Sequence, residues 1–599
     1  MTVIAGTALA IVGCRSVEGI DPANPARGPG SLVGNGEPVS DGDFVGGADA
    51  APAPRDVAPP AGEGYVECDT ACQAYCDSLG LENPINRGVC PAMWGAGLAS
   101  APIDRPEACR RLYVDMVGRF PNPDEVNTVC NRASWGETVK ELLATDEFLL
   151  VNQRRWADKL LYNNRSVNLE RAYDMDNLVG KAYRGQVGWD LFAAVTAAHP
   201  ILTRRHDTDG DRADATFKLF MGRPPYASER SDLGRLYAHW TNGYFDHPYI
   251  GRVPDAFIRY PCVDDNGDPD PENEGQCTSI KWGHNQLILT PDLRAEGQGE
   301  QEGTMWSGHL TADEWAQLQL PGRLLSEETA FWEFAVDEAM EQYFGYDLGT
   351  EVPEVRHEMV EYLLNYNGDI RAVHFAIATS IPYLQSTQAS NPEAYPWTYG
   401  PLKQIEVEPW LDSLKRTTGM RMGQCDHRIS HPEDYLEDDE DMGFTVGGWA
   451  FALIKESRWV IDDNRELVTD YRNLARTLGG CPANEIGGRF TTISILNTAL
   501  QEGMMVELCD PGVVGTSDQI DIAALLPTGM SPNTALSDEV AEQIVTRQTR
   551  LFLSREPNQE ELDEARAAAA ACTPAPCDAE SFARPVCFAV LSSSEMLFY

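Results

Sequence analysis

The residues best suited to hold a transition metal are Cys425, His427 and His431, in the stretch MRMGQCDHRISH. One thiolate and two imidazoles, with the histidines four residues apart as on one helix face, form a donor set that zinc or copper accepts. Such a centre would support a metal-dependent enzyme or a redox accessory protein, and it requires Cys425 to be reduced. Harder ligands occur twice. Asp207, Asp209, Asp211 and Asp214 alternate around Gly210, as the opening of an EF-hand loop does, and calcium favours such oxygen clusters. Arg212 stands where that loop needs glycine, and Lys218 where it needs glutamate. In DDNGDPDPENEG, the residues Asp264, Asn266, Asp268 and Asp270 repeat the spacing, and a Cys262–Cys277 bridge would narrow the loop for chelation. His357-Glu358 with Glu361 falls one histidine short of the zinc-protease helix, and no nucleophile elbow, phosphate-binding loop or dinucleotide fingerprint occurs.

Cysteine usage bears on the first of these sites. Of 15 cysteines, the first, Cys14, closes the apolar run MTVIAGTALAIVGC, which leaves 14, an even number that suits a disulfide framework. Oxidising compartments hold such frameworks and the cytosol rarely does, so full pairing would take Cys425 away from any metal. Cys109 with Cys130, and Cys262 with Cys277, are close enough in sequence to pair. Cys68, Cys72 and Cys76 repeat every four residues, as one helix stripe, so their partners are expected elsewhere, with Cys90 a candidate.

The first 14 residues resemble the lipobox of bacterial lipoproteins, which implies cleavage before Cys14 and a lipid on its thiol. No basic residue precedes the apolar stretch, which departs from that pattern. The run is too short to span a bilayer, and no later segment is long enough either, so lipid would be the anchor. Residues 15–64, rich in Gly, Pro and Ala and poor in aromatics, cannot bury enough apolar surface to offset ordering entropy and read as a flexible tether. The formal charge of −45, from 92 acidic against 47 basic residues, repels nucleic acid and anionic lipid.

What positions any site in the remaining chain is a recurring joint. GRFPNPDE begins at Gly118, GRPPYASE at Gly222 and SREPNQEE at Ser554. In the first, Gly118 tolerates the left-handed residue that ends a helix, Pro121 stops continuation, and Asn122 with Glu125 forms the capping box of the next helix. The third repeats this with Asn558 and Glu561; the second has Tyr226 at the cap and should be weaker. A second recurrence, LLATDEFL, IATSIPYL and LSSSEML, suits a capped break leading into a packing helix. Thr145 marks such a break, and Ser326 reads as the cap of SEETAFWEFAVDEAMEQYFG, whose apolar residues keep helical spacing. The arginines Arg119, Arg223 and Arg555 could form a binding face, but a recurring residue in a recurring joint needs only a recurring structural task, so each is expected to tie a helix end to a nearby carboxylate or carbonyl.

The segments RRLYVDMVGRFPNPDEV and ELLATDEFLLVNQRRWADKLLY, with the C-terminal RLFLSREPNQEELDEA and FAVLSSSEMLF, resemble a family of secreted planctomycete and myxobacterial proteins of unknown function. Members of that family are often associated with c-type cytochrome domains. No Cys-x-x-Cys-His occurs, so the resemblance implies an exported protein without covalently attached haem, and it carries no reaction.

The expected fold is mainly α, multi-helical with repeated helix-turn-helix units, irregular acidic loop insertions and disulfides. The expected organisation is 1–14 signal and lipobox, 15–64 tether, and helical domains over 65–200, 201–400 and 401–599. The expected role is that of a cell-envelope lipoprotein, placed at the outer membrane, acting as a binding or scaffold component with structural calcium. Its expected partners are the membrane, reached through the lipid, and an envelope protein, with nucleic acid excluded by charge.

Overall fold

Helical spacing of apolar residues and well-formed caps dominate the chain. In the computed structural model, residues 68–161, 178–244, 312–386, 400–418 and 520–599 are described apart from short gaps, with a few positions between these spans. Within them the fold is mainly helical, and the described strands are a two-residue antiparallel pair, Thr445–Val446 with Trp449–Ala450.

The N-terminal helices are α1 (Thr70–Ser78), α2 (Pro84–Ala96), α3 (Arg105–Met116), α4 (Pro123–Thr128), α5 (Trp135–Leu143) and α6 (Asp146–Lys159). The middle of the chain supplies α7 (Trp189–Ala198), α8 (Asp209–Met221), α9 (Ala227–Tyr244), α10 (Ala312–Ser326), α11 (Thr329–Phe344), α12 (Pro353–Asn365) and α13 (Ile370–Ala378). The C-terminal part contributes α14 (Val407–Thr418), α15 (Asp538–Gln548), α16 (Gln559–Ala570) and α17 (Ala579–Leu591), with a π-helical turn over Thr549–Leu553.

Two large hydrophobic cores hold most of these helices, and a small cluster of Cys72, Cys76 and Cys90 joins α1 to α2. The first runs from Ile85 to Tyr383 and therefore crosses residue 200 without a break. Its centre is a chain of aromatic contacts, with Trp156 edge-on to Phe192 at 4.7 Å, Phe192 to Phe220 at 6.3 Å, and Phe220 to Phe331 at 6.2 Å. Each such buried ring contributes roughly 1.5–3 kcal/mol through its burial. Helix α10 lies against α7 because Gly322 has no side chain: a methyl there would strike the Ala193 carbonyl. The second core extends from Ile405 to Met596 and takes in Val114 and Phe120 from the first unit. Arg110 lies over the Phe120 ring at 4.0 Å and donates to the Glu595 carbonyl, so α3 serves both cores.

Five disulfides join described residues: Cys68–Cys72, Cys76–Cys90, Cys109–Cys130, Cys509–Cys587 and Cys572–Cys577. The expectation that Cys68 and Cys72 find partners elsewhere is corrected. Helix α1 begins at Thr70, so Cys68 precedes it and the chain there can fold back onto Cys72, while Cys76 reaches Cys90. Ser326 is corrected as well. It is the last residue of α10, its hydroxyl donates to the Arg323 carbonyl, and the residue before α11 is Glu328, which makes no side-chain cap.

Candidate functional site

The three joints have one geometry. Gly118, Gly222 and Ser554 hold φ of 75°, 67° and 59°, the left-handed turn past a helix end. The following arginine then folds toward the next helix and grips its third residue with two parallel bonds. Arg119 donates to Glu125 at 2.7 and 2.6 Å, Arg223 to Glu229 at 2.8 and 2.7 Å, and Arg555 to Glu561 at 2.9 and 2.6 Å. Each arginine also donates to the carbonyl of the next residue, Phe120, Pro224 or Glu556. The same glutamate closes the capping box by accepting from the cap residue's amide, at Asn122, Tyr226 and Asn558. Only the asparagines return a side-chain bond to the glutamate's amide, so Tyr226 leaves its box half made.

Two of the clasps are doubled. Arg119 also takes Glu147, just past the Thr145 cap, and Arg555 takes Glu595, from the corresponding C-terminal break, where the expected cap is not made because the Ser593 side chain accepts no amide. Burial alone would lower the Arg119 guanidinium, but Glu125 and Glu147 reverse this and hold it above its ordinary value. The first and third joints touch: the Ser554 hydroxyl donates to the Pro121 carbonyl at 2.8 Å.

A cavity of about 690 Å³ opens between the first and second joints, with Gly118 on one side and Gly222 and Arg223 on the other. Its volume falls in the range of small-molecule sites. Helix α6 contributes Arg154 and Arg155, α11 contributes Phe334, Glu338 and Gln342, α13 contributes His374, and Tyr183 and Trp189 add aromatic wall. Lys403 and Tyr599 close one side, their backbones exchanging two hydrogen bonds at 2.9 Å.

Beneath Lys403 and Tyr599 lies Asp115, whose side chain is fully buried. Its Oδ2 accepts from the Tyr383 hydroxyl at 2.8 Å, and its Oδ1 from the Tyr599 hydroxyl at 3.0 Å and from the Lys403 ammonium. A buried carboxylate needs this saturation, because an unpaired one would cost several kcal/mol. Burial pushes the Lys403 ammonium below its ordinary value, and Asp115 pulls the other way.

His374 is 1% exposed. Its Nδ1 shares a hydrogen with the Tyr343 hydroxyl at 2.7 Å, and Phe148 meets the ring edge-on at 5.3 Å. Burial first, and Arg155 second, lower its imidazole to about 3, so the ring is neutral near pH 7. Burial keeps the Tyr343 phenol well above its ordinary value and therefore protonated. With that phenol as donor, the imidazole proton sits on Nε2, a buried atom without a partner. Arg155 bonds two neutral oxygens, Asn152 Oδ1 at 3.2 Å and the Asp115 carbonyl at 3.3 Å.

The acidic stretch near residue 207 begins a helix. Asp209 and Asp211 lie in the first turn of α8, and Thr208 caps it by accepting from the Asp211 amide. Asp209 pairs with Arg212 at 2.7 Å, and Arg230 reaches Asp214 at 2.7 Å and Asp211 at 3.3 Å. A cation there would compete with both guanidinium groups. Asp207 lies outside the described residues, as do Cys14, Asp264, Asn266, Asp268, Asp270, Cys262, Cys277, Cys425, His427 and His431. Cys109 and Cys130 are bonded to each other. Among the described residues, the one convergence of three metal-ligand atoms is Cys68, Cys72 and Cys76, and all three sulfurs are oxidised.

Sequence reasoning missed the cavity. Asp115 and Arg155 fall within the two segments that resemble the family, where nothing singles them out, while His374, Lys403 and Tyr599 belong to no quoted motif, and the five are spread from residue 115 to residue 599. The one local signal was a histidine on the apolar helix IRAVHFAIA.

Among the described residues, no helix is long and apolar enough to cross a membrane. No curated protein and no solved structure matches the chain. The model of the family PSCyt2, a protein of unknown function (DUF1549), matches residues 84–224, the segment that runs from α2 through the first joint to the second. Over that quarter of its length the chain is similar to this family, which is consistent with a planctomycete-type protein of unknown function.

Proposed function

We propose that the chain is an exported binding component of the cell envelope, held to the outer membrane by lipid on Cys14 and presenting the cavity beside Asp115 to a small ligand. The observation that carries the binding role is the cavity itself: about 690 Å³, walled by aromatic side chains and by charged groups of both signs. Export is supported by the five disulfides among described residues, which call for an oxidising compartment. The clasped joints suit a rigid scaffold, because each fixes two helices at a set angle through paired bonds. Structural calcium belongs to the same proposal at Asp264, Asn266, Asp268 and Asp270.

The test is native mass spectrometry of residues 65–599, exported to an oxidising compartment and purified without chelator. A small molecule that co-purifies and is lost in Gln342→Trp, which places a larger side chain in the cavity from a helical position of α11, is the expected result. Protein that carries nothing, with and without that change, would count against binding. Elemental analysis of the same sample reads calcium directly, and labelling with a radioactive fatty acid, lost in Cys14→Ser, reads the anchor.

A further inference from the structure

Among the cations that line the cavity, most already face a carboxylate. Arg154 has Asp412 at 3.5 Å, Arg223 has Glu229, and Lys403 has Asp115. The lining acids are also engaged where their partners are described, Asp214 with Arg230 and Glu338 with Lys159. Arg155 differs, since its described acceptors are an amide oxygen and a backbone carbonyl, both neutral. A guanidinium has five donors, so two neutral bonds leave capacity and a full charge to be met. Next to it in the wall is His374, buried to 1% exposure, with Nε2 lacking any hydrogen-bond partner. Burial keeps Nε2 itself out of reach, so the neutral ring forms wall beside the guanidinium and adds no negative charge to it. Around both stand Tyr183, Trp189 and Phe334, which offer apolar contact.

Building on the binding role proposed above, we infer that the cavity takes a small organic acid, one oxyanion on an apolar body, with Arg155 receiving the oxyanion and Tyr183, Trp189 and Phe334 the body. The charge of the whole chain limits the choice further. A net charge of −45 repels polyanions at long range, so a single negative charge placed against one local guanidinium is favoured over a polyphosphate. Carboxylic and phosphoric acids share this chemistry.

The experiment is isothermal titration of the exported protein, residues 65–599, with three probes of the same body: 3-phenylpropionate, 3-phenylpropyl phosphate and neutral 3-phenylpropionamide. The expected result is saturable binding of at least one acid, ten-fold or more tighter than the amide. Arg155→Gln should bring the acid down to the amide's affinity, and Arg155→Lys should keep part of the preference. Which acid binds more tightly identifies the oxyanion. Amide binding as tight as that of either acid overturns the inference and leaves the binding role standing. Failure of all three probes to bind also overturns it, and the co-purified ligand then judges the binding role separately. The comparison of acid with amide uses the unaltered protein, so it holds even if Arg155→Gln, which breaks two internal bonds, does not fold.

Discussion

The first and second joints share a sequence and a clasp, yet they sit in different surroundings. Arg119 is 1% exposed and holds Glu125 and Glu147, which are 21% and 19% exposed. Arg223 is 32% exposed and the carboxylate it clasps, Glu229, is 30% exposed. Behind the first joint, Ser413 accepts from the Phe120 amide at 2.8 Å and Ser554 donates to the Pro121 carbonyl. Both joints border the cavity, the first through Gly118 alone and the second through Gly222, Arg223 and Pro224. The same local design is therefore a buried strut in one place and a solvent-facing rim in the other, and burial rather than bond count sets what each contributes.

The largest expected effect separates the two joints directly. Arg119→Gln should destabilise the protein by about 3–5 kcal/mol, because it leaves two carboxylates facing each other in a partly buried site. Chemical denaturation of the variant and the unaltered protein reads this. A loss below about 1 kcal/mol would show that the tertiary setting adds nothing.

A smaller effect appears on acidification. Burial raises the Glu125 carboxyl, but the Arg119 bonds outweigh it and hold the group below the usual carboxylate range. The unfolded chain then binds the proton more tightly, so this contribution is present above the ordinary value of 4.5 and is lost as pH falls from there through the lower value of the folded state. Unfolding followed from pH 6 to pH 3 should show a shallower decline in Arg119→Gln than in the unaltered protein. Parallel curves would mean that Arg119 does not set the Glu125 titration.

The smallest effect belongs to the second joint. Arg223→Gln removes a paired but exposed bond and should cost about 1 kcal/mol or less. That cost should shrink further in 1 M salt, where screening is strong. A loss as large as that of Arg119→Gln would break the comparison, since exposure would then not distinguish the joints.

Much of the joint was legible in sequence because its parts are local. The left-handed residue, Pro121, Asn122 and Glu125 act within eight residues, and each answers a need of the chain nearest to it. Thr145 was legible for the same reason, accepting from the Phe148 amide three residues on. The helices followed from apolar spacing. By contrast, Cys68 was read as part of a helical stripe because spacing cannot say where a helix begins. Ser326 was read as a cap because a serine near a helix boundary serves either end, and here its hydroxyl bonds backward.

By itself, then, the sequence determined a charge of −45, a mainly helical chain, and three joints whose arginines clasp the next helix. Those properties depend on composition and on bonds between near neighbours. Tertiary structure alone decided that Glu147 and Glu595 double two of the clasps, that Tyr383, Lys403 and Tyr599 converge on Asp115, and that His374 Nε2 is left unmet beside Arg155. Tyr599 lies 484 residues from Asp115, and contacts at that separation are set by how the two cores pack, a property that no local pattern of residues encodes.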